Sequence, residues 1–557
     1  MAARAKRLRL MGDGVLRMLF CIMQFFERWV VRGVSALLPW KGNALHNVKS
    51  FTALYLMCLV RFGGGLCLCW SSCKVLCRVR RGLDFGFGRF FWGEKVRVGG
   101  VCFALLMGMA VSVPAAAQDR VFNATEYFLD NGMQIVVIPN MRAPVVTHMV
   151  WYKVGAADEP RGKSGIAHFL EHLMFKGSTY IDKEGAIKGL PPGAFSEAVK
   201  KLGGRDNAFT SQDYTAYFQS VAVEHLETVM RMEAGRMRGM SPPLEEVLSE
   251  RKVILEERAQ RTDNNPQAKF SEQLNSALYV NHPYGNPVIG WAHEIAALSW
   301  EDAKAMYDRY YAPDNAILVV TGDVQPAVVK ALAEDIYGHL KPSGIGQVER
   351  ERIVSPPLPG ALAVNMAHPA VRQPIVQLLM RAPSARQNMK ESLALEVLSQ
   401  IMSGGNSARL YKSLVVEQKL ATTVSMGYSG TSYDDGEVWL YGVPAKGVEP
   451  VAVVSALKAA LLRLIKDGVG DEELASAIKQ LQSQAIFARD SLSGPARIVG
   501  QNLASGVSLD DVETWPAQIA AVSAADVALV ARKYLNPAVY HAKPSVIGYL
   551  RPEVREE

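Results

Sequence analysis

An internal repeat is the feature that most limits what this chain of 557 residues can fold into. Residues 295–313 match residues 519–537 without gaps at a constant offset of 224, and 7 of the 19 aligned positions are identical. Two alanine-rich helices can match by chance, but a serine, an aspartate, a tyrosine and a proline also agree here. The repeat predicts two copies of one domain that pack face to face, with the functional site in the cleft between them.

The order of the predicted elements favours an α+β fold for each copy. Strands and helices come in separate runs, which argues against a doubly wound sheet. The predicted strands are residues 134–139, 144–154, 207–221 and 317–321, and the predicted helices are residues 164–175 with Ser164 as N-cap, 224–237 and 244–261. Proline and glycine cluster in residues 342–360, which we expect to link a domain of residues 118–341 to a second domain of residues 361–557.

Charge and cysteine content divide the chain near residue 118. Residues 1–117 contain 17 Lys and Arg against 4 Asp and Glu, while the whole chain is +7, which leaves a net charge of −6 for residues 118–557. The basic pI therefore belongs to the front segment, and we do not expect nucleic acid to be a partner of the remainder. All seven cysteines also precede residue 118, and a long cysteine-free remainder suits an oxidising compartment.

Residues 95–117 have the form of a secretory signal peptide, with a basic start, a short apolar core and three alanines before Gln118. Cleavage after Ala117 would export a chain with no stable membrane span to the periplasm. Because signal peptides stand at the start of a chain, we interpret residues 1–94 as a doubtful extension from an upstream start. The alternative is a genuine extension that anchors the protein in a membrane, although charged residues interrupt its apolar runs.

A short sequence in the predicted helix of residues 164–175 indicates a metal site. His168 and His172 are four residues apart, so both imidazoles share one helical face, and Glu171 projects from the same turn. Two neutral histidines suit Zn²⁺, and a third ligand would leave one position for water. Glu171 would then act as a general base on that water.

Candidates for the third ligand lie in the predicted helix of residues 244–261. Glu250 and Glu257 are seven residues apart and share a face, whereas Glu256 points away. The spacing alone cannot choose between the two carboxylates, and a charged helix face is usually only solvated.

Several segments together resemble the pitrilysin and insulinase metallopeptidases. Residues 165–177, GIAHFLEHLMFKG, closely resemble the inverted zinc motif of that family. Residues 203–211 (GGRDNAFTS), 282–287 (HPYGNP) and 403–411 (SGGNSARLY) are similar to its bacterial members related to mitochondrial processing peptidase. The resemblance covers essentially all of residues 120–550.

The resemblance implies a role for each candidate residue. It implies His168, His172 and Glu257 as zinc ligands, Glu171 as the base, and Glu250 as an outer carboxylate that orients the site. It also implies two homologous α+β domains that form one half of a clam-shell peptidase chamber. The family motif is absent 224 residues further on, so we expect one Zn²⁺ per chain.

The resemblance also suggests how peptide substrates bind. The gap between His172 and Glu257 is several residues longer than usual, and we interpret the excess, in residues 181–192, as an inserted surface loop. The strand that pairs with extended substrate in this family corresponds to Asn207, Ala208, Phe209 and Thr210.

One departure from the family pattern concerns stabilisation of the oxyanion. Members that complete the site within one chain carry an Arg and a Tyr in the second half, where this sequence has Val415 and Thr422. Valine donates no hydrogen bond and threonine is shorter than tyrosine. Arg409 and Tyr411 lie nearby in the sequence but are not obvious substitutes. We therefore predict a heterodimer whose homologous partner supplies the Arg and the Tyr.

The sequence thus predicts a zinc-dependent endopeptidase that acts on unstructured peptides or short polypeptides. The alternative is a non-catalytic scaffold or peptide-binding subunit of a complex that resembles the processing peptidases. The intact motif at His168, Glu171 and His172 argues against that alternative.

Overall fold

The computed structural model describes residues 120–347, 350, 352–353, 360–537 and 545–553. These residues belong to one compact unit. The predicted extension of residues 1–94, the predicted signal peptide of residues 95–117 and much of the predicted linker lie outside the described residues.

The first half contains eight described strands and eight described α-helices. The strands are β1 (Thr125–Phe128), β2 (Gln134–Pro139), β3 (Val145–Tyr152), β4 (Ser178–Ile181), β5 (Ile187–Leu190), β6 (Arg205–Thr210), β7 (Thr215–Ala222) and β8 (Ala316–Gly322). The helices are α1 (Ile166–Leu173), α2 (Ala194–Lys201), α3 (Leu226–Gly239), α4 (Leu244–Arg258), α5 (Pro266–Leu278), α6 (Ala292–Ala297), α7 (Trp300–Tyr310) and α8 (Pro326–Tyr337).

The second half repeats most of this order. Its described strands are β9 (Leu362–His368), β10 (Ile375–Ala382), β11 (Ala421–Ser429), β12 (Gly436–Pro444) and β13 (Ser545–Pro552). Its described α-helices are α9 (Met389–Ser403), α10 (Pro450–Asp467), α11 (Asp471–Asp490), α12 (Gly494–Ala504), α13 (Leu509–Ala520) and α14 (Ala524–Tyr534).

The two main sheets have the same strand pattern, which confirms the predicted repeat. The first sheet has the order β1-β2-β8-β3-β7-β6, and the second has the order β9-β13-β10-β12-β11. In each sheet one pair is parallel, β2 with β8 and β9 with β13, while the other neighbours are antiparallel. The first sheet differs by the additional strand β1, and the fold is α+β as predicted.

The residues shared by the two repeat segments form matching helix starts. In α7 the Ser299 hydroxyl accepts the backbone N–H of Asp302, and the Asp302 carboxylate accepts the N–H of Ser299. Ser523 and Asp526 make the same two contacts at the start of α14. These capping boxes give a physical reason for the identical Ser and Asp positions.

The halves are joined because each places a helix on the sheet of the other. Helix α12 packs Ala496, Val499 and Leu503 against the first sheet, in a cluster with Met149 and Trp151.

Helix α5 packs on the second sheet in the same way. Its Phe270, Leu274 and Leu278 side chains form a cluster with four residues of that half: Ile375, Leu379, Val546 and Leu550. Gly500 and Gly548 permit these contacts, since a Cβ atom would lie 2.1 Å from Trp151 and 2.5 Å from Phe270.

Arg352, which lies in the predicted linker, also joins the halves through a cluster of charged residues. The guanidinium of Arg352 lies 2.6 Å from Asp158, 3.2 Å from Asp213 and 3.1 Å from Asp434. Asp158 and Asp213 belong to the first half and Asp434 to the second, so one side chain neutralises carboxylates from both. We call these four residues the Arg352 cluster.

Two local sequence predictions are wrong. Residues 207–221 do not form one strand: they are divided between β6 and β7, because a turn lies between them with Ser211 N–H bonded to the Tyr214 carbonyl. Ser164 is not the N-cap of α1, since Gly165 holds that position and the Ser164 hydroxyl accepts the N–H of Trp291 instead.

No single helix among the described residues has both the length and the apolar character to cross a bilayer. Helices α13 and α14 have that length and composition only together, and a bend of 106° separates them.

Candidate metal centre

The predicted site residues lie on three elements of the first half. Helix α1 carries the motif residues and packs against α4, α7 and β6. Its Phe169, Leu170 and Leu173 side chains are buried in the core of the first half. Both histidines lie on the side of α1 that meets α4, so the site is built within the first half. The sequence had instead suggested the cleft between the two copies.

Three potential metal donors converge where α1 meets α4. The Nε2 atoms of His168 and His172 lie 3.7 Å and 3.4 Å from the Glu257 Oε2 atom. One ligand atom from each of the three residues lies within 4.8 Å of the others. Donors of a tetrahedral zinc ion at about 2.0–2.2 Å would be roughly 3.4 Å apart, so this arrangement needs little adjustment to hold Zn²⁺.

The protonation state of His168 fits metal binding. Burial, aided by the neighbouring His172 and Arg261, lowers the pKa of His168 from 6.5 to about 3, so its imidazole is neutral at pH 7. Two imidazoles and one carboxylate form a donor set that suits zinc and leaves a position open.

Glu250 orients His172 rather than joining the three donors. Its Oε1 atom lies 2.8 Å from the His172 Nδ1 atom, and its Oε2 atom lies 2.6 Å from the Lys176 ammonium. Burial alone would raise the pKa of Glu250, but the contacts with His172 and Lys176 outweigh it and the pKa lies below 4.5. An ionised carboxylate can only accept, so His172 donates from Nδ1 and its Nε2 lone pair remains available.

Arg261 holds the other oxygen of Glu257, with 2.7 Å between the guanidinium and the Oε1 atom. Arg261 lies in a turn of π-helix over Ala259–Asp263, directly after α4. Together with Glu257 it lines an open depression of about 540 Å³ along α4. The donor cluster therefore borders a surface that a ligand can reach.

Glu171, the predicted base, is fixed from the edge strand β6. The Thr210 hydroxyl donates to the Glu171 Oε2 atom over 2.6 Å. Burial raises the pKa of Glu171, while the hydrogen bond from Thr210 opposes the shift. Thr210 was predicted to contact substrate, and the structure gives it this additional contact.

Strand β6 is the outer strand of the described first sheet, so one of its edges has no strand partner there. The N–H of Ala208 faces away from β7 and bonds to the Asn207 side chain at 2.9 Å. The ring of Phe209 lies under the Arg497 guanidinium, 4.4 Å from its centroid, so helix α12 of the second half supports this strand.

The residues at the predicted oxyanion positions lie in the second half. Val415 belongs to a π-helical segment, Tyr411–Glu417, and packs against the core of that half. The exposed Thr422 donates to the Val443 carbonyl over 3.4 Å. Arg409 forms a two-pronged ion pair with Glu473, at 2.8 and 2.6 Å, and so is engaged within its own half.

Two family sequence profiles match the chain. The profile described as "Insulinase (Peptidase family M16)" matches residues 134–291, and the one described as "Peptidase M16 inactive domain" matches residues 297–481. The zinc protease PqqE of Helicobacter pylori is 30% identical over 445 residues, which cover 79% of this chain and 96% of that protein. The chain belongs to the insulinase family of peptidases, M16.

Other members of M16 and related structures agree with this assignment. YmxG of Bacillus subtilis, described as an uncharacterized zinc protease, is 25% identical and covers 69% of this chain and 90% of its own. The crystal structure of a protease from Helicobacter pylori has a TM-score of 0.68 at 28% identity, covering 77% of this chain and 99% of that one. Relatives named zinc proteases imply zinc as the metal of the family.

A second solved structure supports the fold alone. It is described as a peptidase M16 inactive domain from Pseudomonas fluorescens, and has a TM-score of 0.66 at 18% identity, covering 78% of this chain and all of that one. The family and the two-domain half-chamber predicted from the sequence are thus confirmed.

Sequence reasoning missed the residues that support the site. Lys176, Arg261 and Glu159 each contact a site residue or the start of α1. Arg261 lies four residues after Glu257, a spacing at which helical side chains meet, whereas Lys176 contacts Glu250 on another helix. Glu159 precedes the helix in a loop, and no spacing rule in the sequence would have found it.

Proposed function

We propose that the chain is a zinc-dependent endopeptidase that hydrolyses unstructured peptides or short polypeptides. The observation that carries the proposal is the cluster of His168, His172 and Glu257, with donor atoms within 4.8 Å of one another. Glu171 lies between the two histidines on α1. Membership of M16 and the names of the zinc protease relatives support the same function.

Each residue of the site would have a distinct role. His168, His172 and Glu257 would hold the zinc, which when bound would polarise the scissile carbonyl and acidify a water molecule. Glu171 would accept the proton of that water and deliver it to the leaving amine. The hydrogen bond from Thr210 would hold the Glu171 carboxylate in one orientation during both transfers.

The open edge of β6 would bind the peptide as an additional strand. Residues Asn207 to Thr210 end at the hydroxyl that contacts Glu171, so a peptide paired with this edge would lie close to the base. Only an extended chain can pair with a strand edge, which supports unstructured substrates.

Metal analysis and chelator sensitivity test the proposal. The purified full chain is expected to contain one zinc per molecule and to cleave an unstructured fluorogenic peptide. A chelator should abolish cleavage, and added zinc should restore it. Purified protein without zinc, or cleavage unaffected by the chelator, would contradict the proposal. Peptide binding with zinc present and no cleavage would instead support the scaffold alternative.

We further propose that the working enzyme is a heterodimer. Val415 cannot donate a hydrogen bond, Thr422 is engaged with Val443, and Arg409 is engaged with Glu473. Loss of one oxyanion donor typically costs about 2.7–4 kcal/mol, or roughly 10²–10³ in rate, so an enzyme without both donors needs them from elsewhere. A homologous subunit with the Arg and the Tyr would supply them.

Addition of a partner tests this second proposal. The isolated chain is expected to cleave a peptide slowly, and a homologous subunit that lacks the zinc motif but carries the Arg and Tyr should raise the rate by roughly 10² or more. Full activity of the isolated chain, unchanged by the partner, would refute the heterodimer.

We also propose the periplasm as the location, on the strength of the signal-peptide pattern in residues 95–117. Sequencing of the N-terminus of the native protein should give Gln118. A chain that begins at Met1 would instead support the membrane-anchored alternative.

A further inference from the structure

The start of helix α1 is held by carboxylates from outside the helix. The backbone N–H groups of Gly165 and Ala167 donate to the two oxygens of Glu159, over 3.0 and 2.9 Å. The N–H of Ser164 donates to Glu294 over 2.6 Å. Glu159 thus fills the role that an N-cap side chain normally has, although it lies six residues before Gly165.

Glycine at the cap position explains why an external carboxylate is used. Gly165 has φ +86°, and a Cβ atom there would lie 2.6 Å from the Ile289 carbonyl oxygen. No other residue fits without moving that backbone, so the cap position itself has no side chain. The free N–H groups of the first turn must therefore be satisfied by a residue from elsewhere.

The two histidines differ in how their rings are oriented. His172 Nδ1 is held by Glu250 at 2.8 Å. His168 Nδ1 is buried and has no hydrogen-bond partner among the residues that the structure describes. No hydrogen bond at Nδ1 therefore sets the direction of the His168 ring, which depends on packing, including the His172 ring with centroids 4.7 Å apart, and on the backbone. His168 directly follows Ala167 in the first helical turn, whose N–H groups have no partner within the helix.

We propose that Glu159 is a positioning residue for the metal centre, which fixes the first turn of α1 and thereby the direction of His168. The inference rests on the proposed zinc site. Glu159 does not contact the metal donors itself, so its effect should appear in metal affinity as well as in peptide hydrolysis.

The test is the zinc affinity of variants of the full chain, measured by competition with a chromophoric chelator. Glu159→Ala removes both acceptors and should weaken zinc binding about 10-fold or more, as loss of outer support typically does. Glu159→Gln keeps one oxygen acceptor and should fall between the parent and Glu159→Ala. The visible spectrum of the cobalt-substituted protein should change in the same order.

Asp526→Ala is the matched control, since Asp526 accepts the Ser523 N–H at the start of α14, a helix of the second half. It should lower thermal stability without a change in zinc affinity. Zinc binding by Glu159→Ala as tight as that of the parent, or equal weakening in Asp526→Ala, would overturn the inference. If Glu159→Ala does not fold, Glu159→Gln with unchanged affinity would overturn it.

A parent chain that binds no zinc would overturn the proposed function, and this inference with it. A parent that binds zinc, together with a Glu159→Ala variant that binds it equally well, would overturn this inference alone. The two failures can therefore be distinguished in one experiment.

Discussion

The two halves of the molecule share one fold but differ in what occupies the same place in it. The three motif residues of α1 correspond, 224 residues further on, to Ser392, Leu395 and Glu396 of α9. Ser392 and Leu395 are buried, and Glu396 accepts a hydrogen bond from the Trp515 indole over 3.1 Å. The same helix thus presents metal donors in one half and serves packing in the other.

The second helix of the site shows the same contrast. At the offset of 224, Glu250 and Glu257 of α4 correspond to Leu474 and Leu481 of α11, which pack against the core of the second half. The fold therefore tolerates the charged cluster but does not require it. The difference between the halves shows that the chemistry depends on individual side chains placed on a shared scaffold.

The largest expected effect concerns Glu171. Glu171→Gln keeps the shape of the side chain and removes the base, so peptide cleavage should fall by about 10²–10⁴-fold. Zinc content should remain at the parent level. The same change of Glu to Gln at Glu396, which corresponds to His172 and is the carboxylate of this segment in the second half, should leave cleavage unchanged. Equal loss in both variants would refute the functional difference between the halves.

The next effect concerns the Arg352 cluster, which joins the halves. Arg352→Ala would remove the guanidinium that Asp158, Asp213 and Asp434 share, at a place where the Arg352 side chain is only 8% exposed, so the free energy of unfolding should fall by about 3 kcal/mol. Arg142→Ala is the control, because Arg142 also contacts the other half, at Asp490, but is 53% exposed. Its loss should cost less than about 1 kcal/mol in urea unfolding. Equal losses would show that burial does not decide the strength of this contact.

The third effect concerns the orientation of His172. Glu250→Gln should weaken zinc binding about 10–100-fold, because the amide can no longer serve as an ionised acceptor for the His172 Nδ1 hydrogen. Glu246→Gln is the control, since Glu246 contacts Lys176 at 3.5 Å, whereas Glu250 contacts both Lys176 and His172. Unchanged affinity in Glu250→Gln would remove Glu250 from the site.

The smallest expected effect is on how the stability of the second half depends on pH. Burial raises the pKa of Glu396 from 4.5 to about 7, so the folded state binds the proton more tightly than the unfolded chain. Stability from this group is complete below pH 4.5 and is lost as the pH rises through about 7. Glu396→Gln should therefore show a smaller fall in Tm between pH 5 and pH 8 than the parent, by thermal unfolding in both buffers. An identical fall would show that Glu396 is not responsible.

In the metal-free chain, the contribution of His168 to stability should depend on pH in the opposite direction. Because burial lowers its pKa from 6.5 to about 3, the unfolded chain takes up a proton before the folded chain does. Stability is therefore lost as the pH falls from 6.5 towards 3. His168→Gln should therefore lose less stability than the parent as the pH falls from 6.5 towards 3.

Local sequence patterns determined the elements and their chemistry. The run of β-branched residues in β2 and the four-residue spacing of His168 and His172 predicted a strand and a histidine pair on one helix face, because both depend only on neighbours along the chain. The 224-residue offset predicted the two halves because similar segments of sequence form similar structures. The strand prediction for residues 207–221 failed where the turn at Ser211 interrupts it, since no glycine or proline marks that turn.

Only the tertiary structure decided which distant residues meet. It brought Glu257 to the two histidines and Glu250 to one of them, a choice that the spacing of seven residues left open without the family resemblance. It also placed Thr210 on Glu171, Glu159 at the start of α1, and a helix from each half on the sheet of the other. Such contacts join segments far apart in the chain, and their partners depend on how the sheets and helices pack, which no local pattern specifies.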